Sequence, residues 1–217
     1  MLTSVTNFIK QFFPKFDASA VSEKIAPDRG VGPAELMAEW KEIGKTASRA
    51  GTAVHEYARW MFSNNISPQP WPDEIKLDSI GLLTIQLIDA CDKIYSKGFL
   101  PIEAEKIIFS SRLGLAGTVD LLLKDPAGPV IILDWKTNKE LKIENPFETG
   151  LPPIDHLEDS NLNHYALQLS IYQYILEAED YYPAGQEYRR LIVHLTETDN
   201  RVYSCKYLKD EIENMLI

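Results

Sequence analysis

Two aspartates stand where a folded chain rarely tolerates a charge. Asp120 lies inside Gly117-Thr118-Val119-Asp120-Leu121-Leu122-Leu123, and Asp134 closes Val130-Ile131-Ile132-Leu133-Asp134, with Lys136 two positions on. A carboxylate in an apolar strand is costly unless it is paired or binds metal. Residues 134 and 136 of a strand point to one face. If the two strands are neighbours, Asp120, Asp134 and Lys136 converge on one point. Two hard oxygen ligands would hold Mg2+ or Mn2+, and the ammonium would orient an attacking water and offset charge on a phosphate. That chemistry is metal-assisted phosphodiester hydrolysis. The plainer alternative is a surface Asp134–Lys136 ion pair, with Asp120 capping a turn.

Elements able to position these groups follow from the pattern around them. Ile102–Ser110, Leu115–Leu123 and Val130–Trp135 are β-rich runs separated by turns near Gly114 and over Asp125–Pro129, and they predict an antiparallel meander. Pro33 opens a helix over Ala34–Ile43, which Gly44 interrupts, and a second helix is expected from about Thr46 to Phe62. Asn64–Pro72 reads as a proline-containing loop, and residues 74–97 as a long buried helix stopped by Gly98. Asn145–Ser160 is a long loop, followed by a helix over Leu162–Ala178, strands over Tyr188–Leu195 and Arg201–Lys206, and a short helix from Leu208. Phe8, Phe12, Phe13 and Phe16 suggest a short amphipathic helix packed on the body. The expected fold is α/β or α+β: a central mixed sheet with an antiparallel meander, flanked by helices, and a helical N-terminal half. Residues 1–98 would form that helical part and 99–217 the core, together one compact domain.

Composition narrows the field. Lys and Arg number 22 against 32 Asp and Glu, a net charge of −10, which argues against a generally basic nucleic-acid surface and asks for a metal or a confined cationic strip. Arg49, Arg59 and Arg112 are candidates for that strip, with solvated surface as the alternative. Two cysteines exclude a disulfide scaffold, a Cys-ligated zinc site and a four-thiolate iron–sulfur cluster. No apolar run reaches membrane-spanning length and Met1–Lys10 lacks signal-peptide character, so a reducing cytoplasmic setting, bacterial or in a phage-infected host cell, is expected.

Four segments in order resemble the PD-(D/E)XK nuclease superfamily in its RecB-like exonuclease branch. They are Arg49-Ala50-Gly51-Thr52-Ala53-Val54-His55, Gly117-Thr118-Val119-Asp120, Asp134-Trp135-Lys136-Thr137 and Gln168-Leu169-Ser170-Ile171-Tyr172. The resemblance implies a restriction-endonuclease-like core. His55, Asp120, Asp134 and the Trp135 backbone carbonyl would ligate Mg2+ or Mn2+. Lys136 would position the nucleophilic water, and Gln168 and Tyr172 would hydrogen-bond near Lys136 or to the DNA backbone. Glu105 would serve a second metal or a metal-bound water, or else face solvent at a sheet edge. His164, Thr137, Asn138 and Lys139 are further substrate-contact candidates. Trp60, Trp71 and Trp135 could stack on bases, with core packing as the alternative.

The expected activity is a stand-alone, metal-dependent DNA exonuclease of recombination, repair or replication. Its partners would be DNA ends and other replication or recombination proteins, with oligomeric state open. A structure-selective endonuclease, an inactive nuclease-fold DNA-binding module and a protein without a nucleic-acid role are the competing readings.

Overall fold

A computed structural model describes residues 1–63 and 78–217. The expected loop Asn64–Pro72, Trp71 and residues 74–77 of the helix expected over 74–97 lie outside the described residues. Among the described residues, no helix is long and apolar enough to cross a membrane.

The fold is mixed α/β, with a six-stranded mixed sheet carrying helices on both faces. The elements in chain order are β1 (Thr3–Ser4), α1 (Val5–Ile9), α2 (Ala18–Arg29), α3 (Pro33–Ser63), α4 (Ser79–Ser96), β2 (Leu100–Ser110), β3 (Leu115–Lys124), β4 (Val130–Lys136), α5 (Asn161–Ala178), β5 (Tyr188–Leu195), β6 (Asn200–Cys205) and α6 (Lys209–Met215). The expected meander forms: β2 and β4 both run antiparallel to β3. β5 then joins β4 in parallel, after the crossover through α5, and β6 returns antiparallel beside β5.

Local chemistry accounts for most boundaries. Asp17, Asp78 and Ser160 cap α2, α4 and α5 by accepting from the N–H groups of Ala20, Gly81 and Asn163. Gly30, with φ of +65°, ends α2 in the left-handed turn that favours glycine. α2 itself was not anticipated, because its apolar residues mark no continuous stripe. Gly44 does not break the chain as expected. α3 runs unbroken from Pro33 to Ser63, since an isolated helical glycine costs only about 1 kcal/mol against alanine. Burial of Leu36, Ala50, Val54, Ala58, Met61 and Phe62 offsets that cost.

Each sheet face has its own core. α3 and α4 cover Leu121, Leu123, Ile131, Leu133 and Trp135. α1, α5 and α6 cover Ile108, Val119, Leu122, Ile132 and Ile192. Burial on both faces explains why β4 reads as an uninterrupted apolar run rather than an alternating one.

The sheet forks along β3. Pairing with β4 covers Leu121–Lys124 and stops there, while β1 pairs in parallel with Leu115 and Ala116 on the same side. The stretch from Gly117 to Asp120 lies between these two partners. The interior notch this leaves is where the chemically distinctive side chains collect.

Candidate active site

At the fork, Asp120 does work a strand backbone would otherwise do. Its Oδ2 accepts from the Trp135 N–H at 2.8 Å, tying β3 to β4 just past their last paired residues. His55 arrives from α3. Its Nε2 donates to the Trp135 carbonyl at 3.1 Å, and its Nδ1 faces Asp120 Oδ2 at 3.4 Å. With the Nε2 proton so placed, a neutral ring aims the Nδ1 lone pair at a carboxylate.

Gly51 makes the approach of α3 possible. A Cβ there would lie 3.1 Å from Thr137 Oγ1, so the helix runs close against the end of β4 one turn before His55. Gly117 has a comparable role on the other face: a Cβ would fall 2.4 Å from Tyr172 Cε1. The Tyr172 ring therefore comes close against the β3 backbone with its Cε1 edge nearest.

Glu105 is the third member of the group. It sits in mid-strand, where the expected β2 run has it facing either the site or solvent, and it lines the cavity that also holds His55. The flanking pairs Ala104–Leu121 and Lys106–Val119 place it across from Asp120. Its φ of +52° is left-handed, an unusual state for a non-glycine residue inside a strand. The alternation of faces slips here: Val119 and Ile108 enter the α5-side core, whereas Leu121 and Ala104 pack on the α3 side. The slip directs both acids toward α3. Ligand atoms of His55, Glu105 and Asp120 all lie within 4.8 Å of one another.

The three groups shift one another's proton affinities. Burial, then the Asp120 charge, raises the Glu105 pKa. For His55, burial lowers the pKa but the hydrogen bond and charge of Asp120 outweigh it, and the value stands above the usual one. Two carboxylates and one imidazole suit Mg2+ or Mn2+, the nitrogen favouring Mn2+ somewhat. The donor set fits the group.

Asp134 stands beside this trio in a different set of contacts. Its Oδ1 accepts from Gln168 Nε2 at 3.2 Å, and its Oδ2 pairs with the Lys136 ammonium 2.6 Å away. The carboxyl is almost wholly buried, its side chain 3% exposed, and burial pushes its pKa up to about 6, with Lys136 opposing and Asp120 assisting. The Asp134–Lys136 pair is thus an interior one, not the surface pair that a bare Asp-x-Lys suggests. For Lys136, burial works against the charge, but Asp134 and Asp120 hold its pKa above the ordinary lysine value.

The Lys136 ammonium also lies 4.4 Å from the centre of the Tyr165 ring. Tyr165 was not singled out in the sequence, although its place three residues before Gln168 on α5 was a usable signal. Gln168 Nε2 also donates to Tyr172 Oη at 2.9 Å, so Tyr172, Gln168 and Asp134 form a chain of contacts.

Other candidates fall elsewhere. His164 pairs with Asp159 at 2.7 Å and stacks on Phe13. Asn138 accepts from Tyr165 Oη at 3.3 Å, and its carbonyl meets His194 Nε2 at 2.6 Å. Lys139 lines separate cavities, and Trp135 is buried in the core with its ring stacked near Phe62. Trp60 stacks with Tyr57. Of the three arginines proposed as a strip, Arg59 lines the cavity with His55 and Glu105.

Residues 34–215 match the family model of the PD-(D/E)XK nuclease superfamily, and the chain belongs to that superfamily. The family implies a nucleic-acid substrate and, typically, divalent metal. Among solved structures, a Eubacterium rectale protein described as "Putative exonuclease" is similar at 16% sequence identity and a TM-score of 0.47. The similarity covers 79% of this chain and 64% of that one, so this chain spans less than two thirds of that protein's length. A comparison with curated proteins finds no match.

Proposed function

We propose that the protein is a metal-dependent deoxyribonuclease of the RecB-like branch, acting as an exonuclease on DNA ends in recombination, repair or replication. The observation that carries this reading is the convergence of His55, Glu105 and Asp120 beside the half-buried Lys136 ammonium, which Asp134 contacts. His55 Nδ1, Glu105 and Asp120 would hold Mg2+ or Mn2+, with Asp134 next to them. A bound divalent cation supplies Lewis-acid stabilisation of the phosphate and a more acidic water.

The chain's own groups do the rest. Lys136 stays protonated, orients the water by donating to its oxygen, and offsets charge building on the phosphate. Asp134 fixes the ammonium, and Tyr165 shields it on a further side. Gln168 and Tyr172 are positioning residues: they hold Asp134 through a side-chain hydrogen bond that the α5 turn aligns. The net charge of −10 makes a bound cation the means by which a phosphate can approach.

The test uses end-labelled linear DNA and circular single-stranded DNA, with Mn2+, Mg2+ or chelator. The expected result is metal-dependent loss of linear DNA with circles intact, abolished by Asp120→Ala in a variant that keeps the wild-type circular-dichroism spectrum. Cleavage of circles would point to an endonuclease. Undiminished degradation by Asp120→Ala would remove the proposed centre.

A further inference from the structure

The α3 face of the sheet is not covered to its edge. Ile107 is 69% exposed and Phe109 48%, both in β2, while Ile108 between them is wholly buried on the opposite face. Glu105, Ile107 and Phe109 alternate along the strand, so the apolar pair continues the face that carries the acid. Their cross-strand partners are the small Thr118 and Ala116, which leaves both side chains standing clear of the sheet.

Ile107 and Thr118 floor a cavity of about 710 Å3 that ends on His55 and Glu105, with Gly51 and Arg59 of α3 as its wall. That volume is within the range of small-molecule sites, roughly 300–1,000 Å3. Arg59 follows His55 by one helical turn. Its charge reaches Glu105, yet it forms no ion pair or hydrogen bond with any of the described residues. One cavity therefore joins His55 and Glu105 of the ligand set, the Arg59 guanidinium and the Ile107 end of an apolar shelf that Phe109 extends along β2 beyond the cavity.

We propose that this shelf seats one unpaired nucleotide of the substrate. Its base lies against Ile107 and Phe109, and its phosphate is held by Arg59, which sets the neighbouring phosphodiester at the His55–Glu105–Asp120 group. The proposal rests on the nuclease reading above. A base inside a duplex has its faces occupied by its neighbours, so the shelf selects single-stranded DNA or a frayed end. A protein partner is disfavoured, because two side chains offer far less than the roughly 1,000 Å2 a specific interface needs. Continuity with the ligand set, and a cation placed for a phosphate, favour a nucleotide.

The experiment compares wild type, I107A/F109A and R59A on end-labelled single-stranded DNA, blunt duplex, and single strands carrying a run of abasic nucleotides, all with Mn2+. Both apolar residues are exposed, so melting temperature should stay near wild type. The expected result is wild-type preference for base-bearing single strands, with KM about tenfold higher for I107A/F109A, the low end for losing a base-stacking contact. In that variant the preference for base-bearing over abasic DNA should disappear. R59A should raise KM on both kinds of strand. Equal wild-type rates on blunt duplex and single strands, or an I107A/F109A variant that keeps wild-type KM and base preference, would overturn the shelf while leaving the nuclease standing. Wild-type protein that cleaves none of these DNAs with Mn2+, nor with Mg2+ in a parallel set, would overturn both.

Discussion

Gly117→Ala tests the contact between β3 and α5 on which the Asp134 geometry depends. The added Cβ would lie 2.4 Å from Tyr172 Cε1, 3.1 Å from Cζ and 3.3 Å from Cδ1. Carbon atoms are most favourable at about 3.5–4.0 Å, so the ring must retreat by about 1 Å. Tyr172 is 4% exposed and sits inside the α5-side core, which leaves it nowhere to go without disturbing its neighbours. Overpacking of this kind costs about 1–3 kcal/mol, or about 2–12 °C in melting temperature for a chain of this size. Retreat of the ring also carries Oη away from Gln168 Nε2, loosening the amide that holds Asp134. A displacement of that order near a catalytic group can cost about 100-fold, so cleavage of linear DNA with Mn2+ should fall by about 10- to 100-fold. Thermal denaturation and an initial-rate assay measure the two effects separately. A double-mutant cycle locates the cause: with the ring removed, Gly117→Ala should cost little further stability in a Tyr172→Leu background. A Gly117→Ala protein with wild-type melting and wild-type rate would refute the reasoning, since ring and strand would then not be in contact.

Lys136→Met should remove activity and leave Asp134 buried without its counter-charge. The expected cost is about 3 kcal/mol near pH 8, becoming smaller near pH 5 as Asp134 takes a proton; urea denaturation at the two pH values checks it, and an equal loss at both would count against a charged interior pair. Metal binding should show the opposite trend with pH. Asp134, Glu105 and His55 all have raised pKa values, so the folded, metal-free protein holds protons the unfolded chain releases. Their contribution to stability is present below the ordinary pKa values and lost as pH rises through the folded ones, about 6 for Asp134. Mn2+ competes with those protons, so its gain in melting temperature should be larger near pH 8 than near pH 5.5. A gain independent of pH would exclude these groups as ligands.

Much of this architecture can be read from residue order alone, because the strands that matter are buried on both faces. Long apolar runs broken by one aspartate each identified β3 and β4, and the two-residue step from Asp134 to Lys136 placed both side chains together. His55 meeting Asp120 and Trp135 was anticipated only through motif order, since no periodicity links positions so far apart. Other features leave no trace in a pattern. The left-handed Glu105 and the slip in facing at Asp120 are properties of two strands adjusting to each other. The Gly117–Tyr172 contact joins β3 to a helix distant along the chain, and glycine in a strand signals only that something comes close. The continuity of α3 through Gly44 shows the reverse case, in which tertiary burial overrides a local breaker signal.

The notch in β3 has one more effect. Unsatisfied strand backbone ordinarily lies at the rim of a sheet, where it invites another molecule to add on. Here the gap opens inside the sheet, between β1 and β4, and the Asp120 carboxylate closes part of it by taking the Trp135 N–H. The protein thereby obtains a polar opening among its strands without extending the sticky perimeter that would promote self-association.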